Sequence, residues 1–186
     1  MALSIAGIHY RTVEIQLRDK PSHMMGVSSK GTVPVLCLSE VEVIDESLHI
    51  MHWALQQNDP LQWLDGLAND TANQLLEQTD GPFKKALDQY KYASRFPDID
   101  PTQSREQAVN ALIQPLGDLL DGQDYIGGSR PVFQDVAIFP FVRQFAGVQP
   151  AWFDEHAPPS VRHWLQHWVS SELFVRIMQK PSLSNH

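Results

Sequence analysis

The stretch Lys30–Leu55, KGTVPVLCLSEVEVIDESLHIMHWAL, constrains the fold more than any other part of the sequence. Val33 to Leu38 and Val41 to Ile44 are short apolar runs with Ser39 and Glu40 between them, a spacing that predicts an antiparallel hairpin with a short turn. Pro34 opens the first run, where its missing N–H breaks no ladder. The chain ahead of it is held extended. Val33 therefore offers its peptide N–H and C=O to another extended chain, which would lie against it as an added strand. Asp45-Glu46-Ser47 then precedes Ile50, Met51, Trp53, Ala54 and Leu55. Polar residues ahead of apolar positions three and four apart predict a helix start. A helix N-terminus presents unpaired N–H groups and a partial positive charge, a seat for a carboxylate. Ser47 adds a hydroxyl donor, and Glu46 accepts from an ammonium group. Together they suit an amino-acid head group that carries both charges.

The flanks of this stretch differ in pattern. Upstream, Thr12 to Leu17 alternates polar and apolar residues, the period of a half-buried strand. Downstream, Asn58-Asp59-Pro60 ends the helix, and residues to Asn69 read as a linker or surface loop. Beyond it the period is helical. Leu75, Leu76, Phe83, Ala86, Leu87 and Tyr90 fit a helical pair broken near Gly81-Pro82. Val109 to Leu120 forms a helix kinked at Pro115. Gly122 to Pro131 is a loop, Val136 to Phe145 a strongly apolar helix, and Val161 to Met178 supplies one or two more.

Composition narrows the function. Of 186 residues, 42 % are hydrophobic and 19 % charged, which is ordinary for a folded domain pair. A formal charge of −8 leaves no basic face for a nucleic-acid backbone. No apolar run has the length to span a bilayer. The single cysteine, Cys37, excludes an internal disulfide framework and fits a reducing, cytoplasmic setting.

The order V-P-V-L, hairpin, D-E-S, helix resembles the second half of the thioredoxin-like domain of glutathione S-transferases, and an all-helical half follows as in that family. The resemblance implies an α/β plus all-α fold. Residues 1–57 would be a partial thioredoxin-like, glutathione-binding domain, 58–68 a linker and 69–186 the helical C-terminal domain. It implies glutathione as ligand and no metal, a small electrophilic or disulfide second substrate, and a homodimer with neither nucleic acid nor membrane as partner. In the family the proline is cis and the residue before it holds the cysteinyl main chain, roles that fall on Pro34 and Val33. The γ-glutamyl end falls to Glu46 and Ser47. Lys30 resembles a basic residue that some members point at the glycyl carboxylate. Tyr125-Ile126-Gly127-Gly128 and Asp135 to Pro140 resemble the approach to the family's central helix, with Val132 where members place a capping Ser or Thr. Asp135 must therefore find other donors, or the helix is weaker.

The family's thiol-activating Tyr, Ser or Cys lies on or just after its first strand. Here Met1 to Gly7 reads as the end of the first helix, with Gly7 at its C-terminal position. The strand and the motif thus have no counterpart in the sequence, and the expectation is glutathione binding with little turnover. The alternative is a non-catalytic glutathione-binding or interaction protein. Cys37, flanked by Leu36 and Leu38, reads as a core cysteine. His49 and His52 share one helix and His163 and His167 another, but neither pair has a third ligand in sequence. Trp63, Tyr90, Tyr92, Phe96 and Trp152 read as core or interface residues ahead of a second-substrate pocket. The plain alternatives are a solvated turn for Lys30 and a simple helix cap for Glu46 and Ser47.

Overall fold

The computed structural model describes residues 1–15, 31–39 and 41–179. The chain divides into two compact units, Met1–Leu64 and Asp65–His186.

The first unit opens with helix α1, Ala2–Ile5. Gly7, at φ 72°, takes the left-handed conformation that glycine adopts without a Cβ clash. Its N–H donates to Ser4 O and the Ile8 N–H donates to Leu3 O, the paired bonds of a glycine-terminated helix. Gly7 thus ends a helix, as its position in the sequence implies.

Strand β1, Val35–Cys37, pairs antiparallel with β2, Val43–Asp45, with Val35 opposite Asp45 and Cys37 opposite Val43. The Ser39 hydroxyl accepts the N–H groups of Val41 and Glu42, and Leu38 N–H donates to Glu42 O, closing the turn. Among the described residues the sheet has these two strands only. Thr12–Ile15, expected as part of a strand, is irregular. Alternation marks a face, but a strand needs a neighbour to take its main-chain hydrogen bonds. Gln16 and Leu17 lie outside the described residues. Cys37 is also corrected: it is exposed. Leu36 and Leu38 project to one face of the ribbon and are half-buried, while Cys37 projects to the other.

Helix α2, Ser47–Gln57, follows β2 directly, packs against α1 and both strands, and buries Ile50, Ala54 and Leu55. Asn58 ends it, and the Asn58 amide donates to Ala6 O, tying the helix end to the end of α1. The expected loop beyond is more ordered than its composition suggests. The Asp59 carboxylate accepts the N–H groups of Trp63 and Leu64, starting a 3-10 helix over Trp63–Ala68, and Trp63 is buried.

The second unit is helical throughout its regular parts. Asp70–Gln78 (α3) and Lys84–Lys91 (α4) are joined by a π-helical turn, Thr79–Phe83, that contains Pro82. Pro101–Ala108 (α5) and Gln114–Leu119 (α6) are joined the same way by Val109–Ile113, with Pro115 at the start of α6. Both prolines were expected to break or kink a helix. Instead the ladder widens: Lys84 N–H reaches back five residues to Thr79 O, and Gln114 N–H to Val109 O. A wider turn makes room for a ring that would clash with a carbonyl four residues back.

Helix α7, Phe133–Ala146, is the most buried element, with nine residues in the core. Val132 cannot cap it, and Asp135 does find other donors. Its fully buried carboxylate accepts Ile126 N–H at 2.9 Å, Val132 N–H at 2.9 Å and the Trp164 indole N–H at 2.7 Å. Burial pushes this carboxyl above its usual range, against the pull of those donors and of the Gly127 N–H. Trp164 lies on α9, Pro159–Ser170, so one side chain ties the loop, the start of α7 and α9 together. Pro150–His156 (α8) and Glu172–Met178 (α10) complete the unit. Phe139, Phe145, Trp164 and Trp168 pack edge-on or tilted in its core. Tyr90 and Phe83 join Phe145 there, so Tyr90 is a core residue, as its helical spacing implied.

Candidate functional site

The sequence-selected residues meet at one end of the hairpin. Val35 faces Asp45 across the ladder. Continuing that register by one and two positions carries Pro34 and Val33 toward the same end as Glu46 and Ser47. Val33 lies just beyond the ladder and is 48 % exposed, so its main chain extends past the last paired residue. The Val33–Pro34 peptide bond is cis, as the resemblance implied. Lys30 lies outside the described residues.

Glu46 is the N-cap of α2 and has φ 69° and ψ 133°, a backbone state that a residue with a Cβ rarely adopts. Such a state costs on the order of 1–3 kcal/mol and persists only where the surroundings impose it. Here a tight passage from β2 straight into α2 imposes it, because Asp45 is still in the strand and Ser47 already in the helix. The side chain of Glu46 makes no capping hydrogen bond to the helix. The simple-cap reading of Glu46 therefore fails, and its carboxylate projects half-exposed, with His49 Nδ1 at 3.9 Å from Oε2. Ser47 is exposed at the first helical position.

This end carries the Glu46 carboxylate, the Ser47 hydroxyl and the first-turn N–H groups of α2. Such a site needs no enclosed cavity. A concavity of about 470 Å3 lies elsewhere, in the second unit between Asp80, Lys84, Lys85, Asp88 and Phe96; of the residues singled out in the sequence Phe96 lines it, and Val33, Pro34, Glu46 and Ser47 do not. Among the described residues no group of three or more His, Cys, Asp or Glu is arranged to hold a metal ion. His167 instead shares a hydrogen bond of 2.6 Å with the Tyr125 hydroxyl.

Two features of the site escaped the sequence reading. The left-handed backbone of Glu46 has no sequence signal, because Glu does not favour that state. The approach of His49 to Glu46 follows a three-residue spacing, which the pairing of His49 with His52 does not bring out.

A short α/β unit built on a cis-proline hairpin, preceding an all-helical unit, defines a thioredoxin-like domain with a helical C-terminal domain, the two-domain class to which glutathione-handling proteins conform. The N-terminal domain model of glutathione S-transferases matches residues 1–57, and their C-terminal domain model matches residues 74–167. The chain belongs to the glutathione S-transferase family. No curated protein matches it significantly. Among solved structures it is similar to a Burkholderia graminis glutathione transferase with two glutathione molecules bound per subunit, at 18 % identity and a TM-score of 0.77, covering 98 % of this chain and 83 % of that one. A possible glutathione S-transferase from Rhodopseudomonas palustris is 17 % identical with a TM-score of 0.76, covering 100 % and 89 %. A poplar glutathione transferase is 15 % identical with a TM-score of 0.75, covering 95 % and 87 %. At these identities the likeness is one of fold. Among the described residues no helix is long and apolar enough to cross a membrane.

Proposed function

We propose that this chain binds glutathione in its first unit. Val33 holds the cysteinyl main chain through its own N–H and C=O beside cis-Pro34, and Glu46 and Ser47 hold the γ-glutamyl ammonium and carboxylate. Lys30 is assigned to the glycyl carboxylate on the family resemblance alone. The observation that carries the reading is the hairpin register, which runs from Val35 opposite Asp45 toward cis-Pro34 and Val33 on one strand and Glu46 and Ser47 on the other. The glutathione bound to the Burkholderia graminis relative supports the ligand class.

Binding with little turnover is the expectation for this chain, and the transfer step is assigned from the family, with the thiol's proton passing to solvent. The glutathione thiol loses its proton, the thiolate sulfur bonds to an electrophilic carbon or to one sulfur of a disulfide, and the leaving group departs with the electron pair. Val33, Glu46 and Ser47 hold the ends of the tripeptide and leave its sulfur to react. The domain assignment is 1–57 for glutathione binding and 69–186 for the helical domain, joined by 58–68. A homodimer is assigned from the family, and a cytoplasmic setting from the single reduced cysteine.

Titration calorimetry with glutathione tests the reading. Ser47→Ala removes a hydroxyl donor to a charged group and weakens binding by about 1–2 kcal/mol. Unchanged affinity in Ser47→Ala would remove Ser47 from the site.

A further inference from the structure

The concavity of the second unit runs along the exposed side of α4 and the π-helical turn before it. Asp80 of the turn, Lys84, Lys85, Asp88 and Gln89 of the helix, and Phe96 beyond it line about 470 Å3. Two of these charges are tied to each other, Lys84 Nζ lying 3.1 Å from Asp80 Oδ1. Among the described residues, the Lys85 ammonium and the Asp88 carboxylate have no side-chain partner. They stand three apart on one helix, so their side chains leave it as neighbours. Phe96 is half-buried and makes no ring contact among the described residues, so it lends the wall an unpartnered apolar ring.

We propose that this concavity is a second ligand site, for a small zwitterion with an aromatic side chain, of which an aromatic amino acid is the simplest. Its carboxylate meets Lys85, its ammonium group Asp88 and its ring Phe96.

Charge complementarity selects this class. The lining carries two charges of each sign, so an anion drawn to Lys85 is repelled by Asp88, and a cation the reverse. A zwitterion gains at both. Gly81, also in the wall, leaves the room: an added Cβ there would meet nothing within 4 Å. The volume falls among those of small-molecule sites, roughly 300–1,000 Å3. The charged residues are exposed, and exposed ion pairs contribute little, so binding is weak, with a dissociation constant on the order of 1 mM. Every residue of this site belongs to the second unit, so it stands or falls apart from glutathione binding in the first.

The experiment follows amide chemical shifts of the isotope-labelled full chain through three titrations. The probes are L-phenylalanine, 3-phenylpropionate, which lacks the ammonium group, and phenethylamine, which lacks the carboxylate. L-Phenylalanine is expected to give saturable shifts at Lys85, Asp88, Gln89 and Phe96, and each analogue to bind roughly threefold more weakly. Lys85→Gln should weaken L-phenylalanine by a similar factor without weakening phenethylamine, a split that a general loss of structure would not give. Gly81→Leu, whose side chain fills the same space, should abolish the saturable shifts. Either analogue binding as tightly as L-phenylalanine overturns the proposal, and so does the absence of a saturable shift at these four amides. Shifts there that follow protein concentration without any ligand would mark the face as an interface between copies of the chain, and would overturn it too.

Discussion

Asp135→Ala removes the acceptor at the centre of the helical unit, and its cost is worked from three hydrogen bonds. The carboxylate accepts Ile126 N–H at 2.9 Å, Val132 N–H at 2.9 Å and the Trp164 indole at 2.7 Å, and the residue is fully buried. Alanine leaves those donors without an acceptor where water does not reach. Each orphaned donor costs about 1–3 kcal/mol. Removing a desolvated charge offsets part of that sum, and local relaxation offsets more. The net expectation is a loss of about 4 kcal/mol, a large share of the roughly 5–15 kcal/mol by which domains are stable. In a chain of this size that lowers the melting temperature by on the order of 8–16 °C. Denaturant unfolding followed by tryptophan fluorescence reads it directly, because Trp164 is itself one of the donors. Asp135→Asn, which keeps one acceptor oxygen, should lose about half as much. A loss below about 1 kcal/mol in Asp135→Ala would mean that the three bonds contribute little beyond what water supplies, and the reasoning would be refuted.

Further outcomes are expected. Trp164→Phe removes one of those donors and one aromatic contact, and should cost about 1–2 kcal/mol, less than additively with Asp135→Ala. Because burial raises the folded-state pKa of Asp135, its contribution is fully present below the unfolded value and is lost as pH rises through the folded value. The stability gap between wild type and Asp135→Asn should therefore widen from neutral pH toward pH 4, and a narrowing gap contradicts that direction. Gly66→Ala should destabilise by about 1–3 kcal/mol in a thermal melt, since a Cβ there would meet the Gln134 side chain and lie 2.6 Å from Val132 Cβ. Cys37, being exposed, should react with a thiol reagent in the native protein as fast as in denaturant, whereas a buried thiol would wait for unfolding.

Local chemistry was legible where a residue type has one dominant backbone use. The hairpin, the helix start at Ser47, its end at Asn58 and the glycine stop at Gly7 all follow from such residues, and each stands where the pattern puts it. Cys37 went wrong because its flanking leucines signal a buried strand only if both faces are covered, and a two-residue alternation puts Cys37 on the other face from them. Pro82 and Pro115 do stand in or beside interruptions of the regular helices, but the form of the interruption was not legible. A helix answers a proline by widening as well as by breaking, and sequence does not say which. Thr12–Ile15 shows the limit of alternation, since pairing depends on a neighbour that the segment itself does not name. Of the candidate site, the placement of Val33, Pro34, Glu46 and Ser47 toward one end of the hairpin was legible from their order along the chain. The strained backbone of Glu46 was not, because it is imposed by the junction between β2 and α2 and not by any preference of glutamate.

The central claim is that glutathione seats at the hairpin end of the first unit. Amide chemical shifts of the isotope-labelled full chain, followed through a titration with glutathione, test it most directly. The account predicts that the largest saturable shifts fall on the Val33, Glu46 and Ser47 amides, with smaller ones along the first turn of α2. Saturable shifts confined to the second unit, or no saturable shift at any concentration of glutathione, would contradict it.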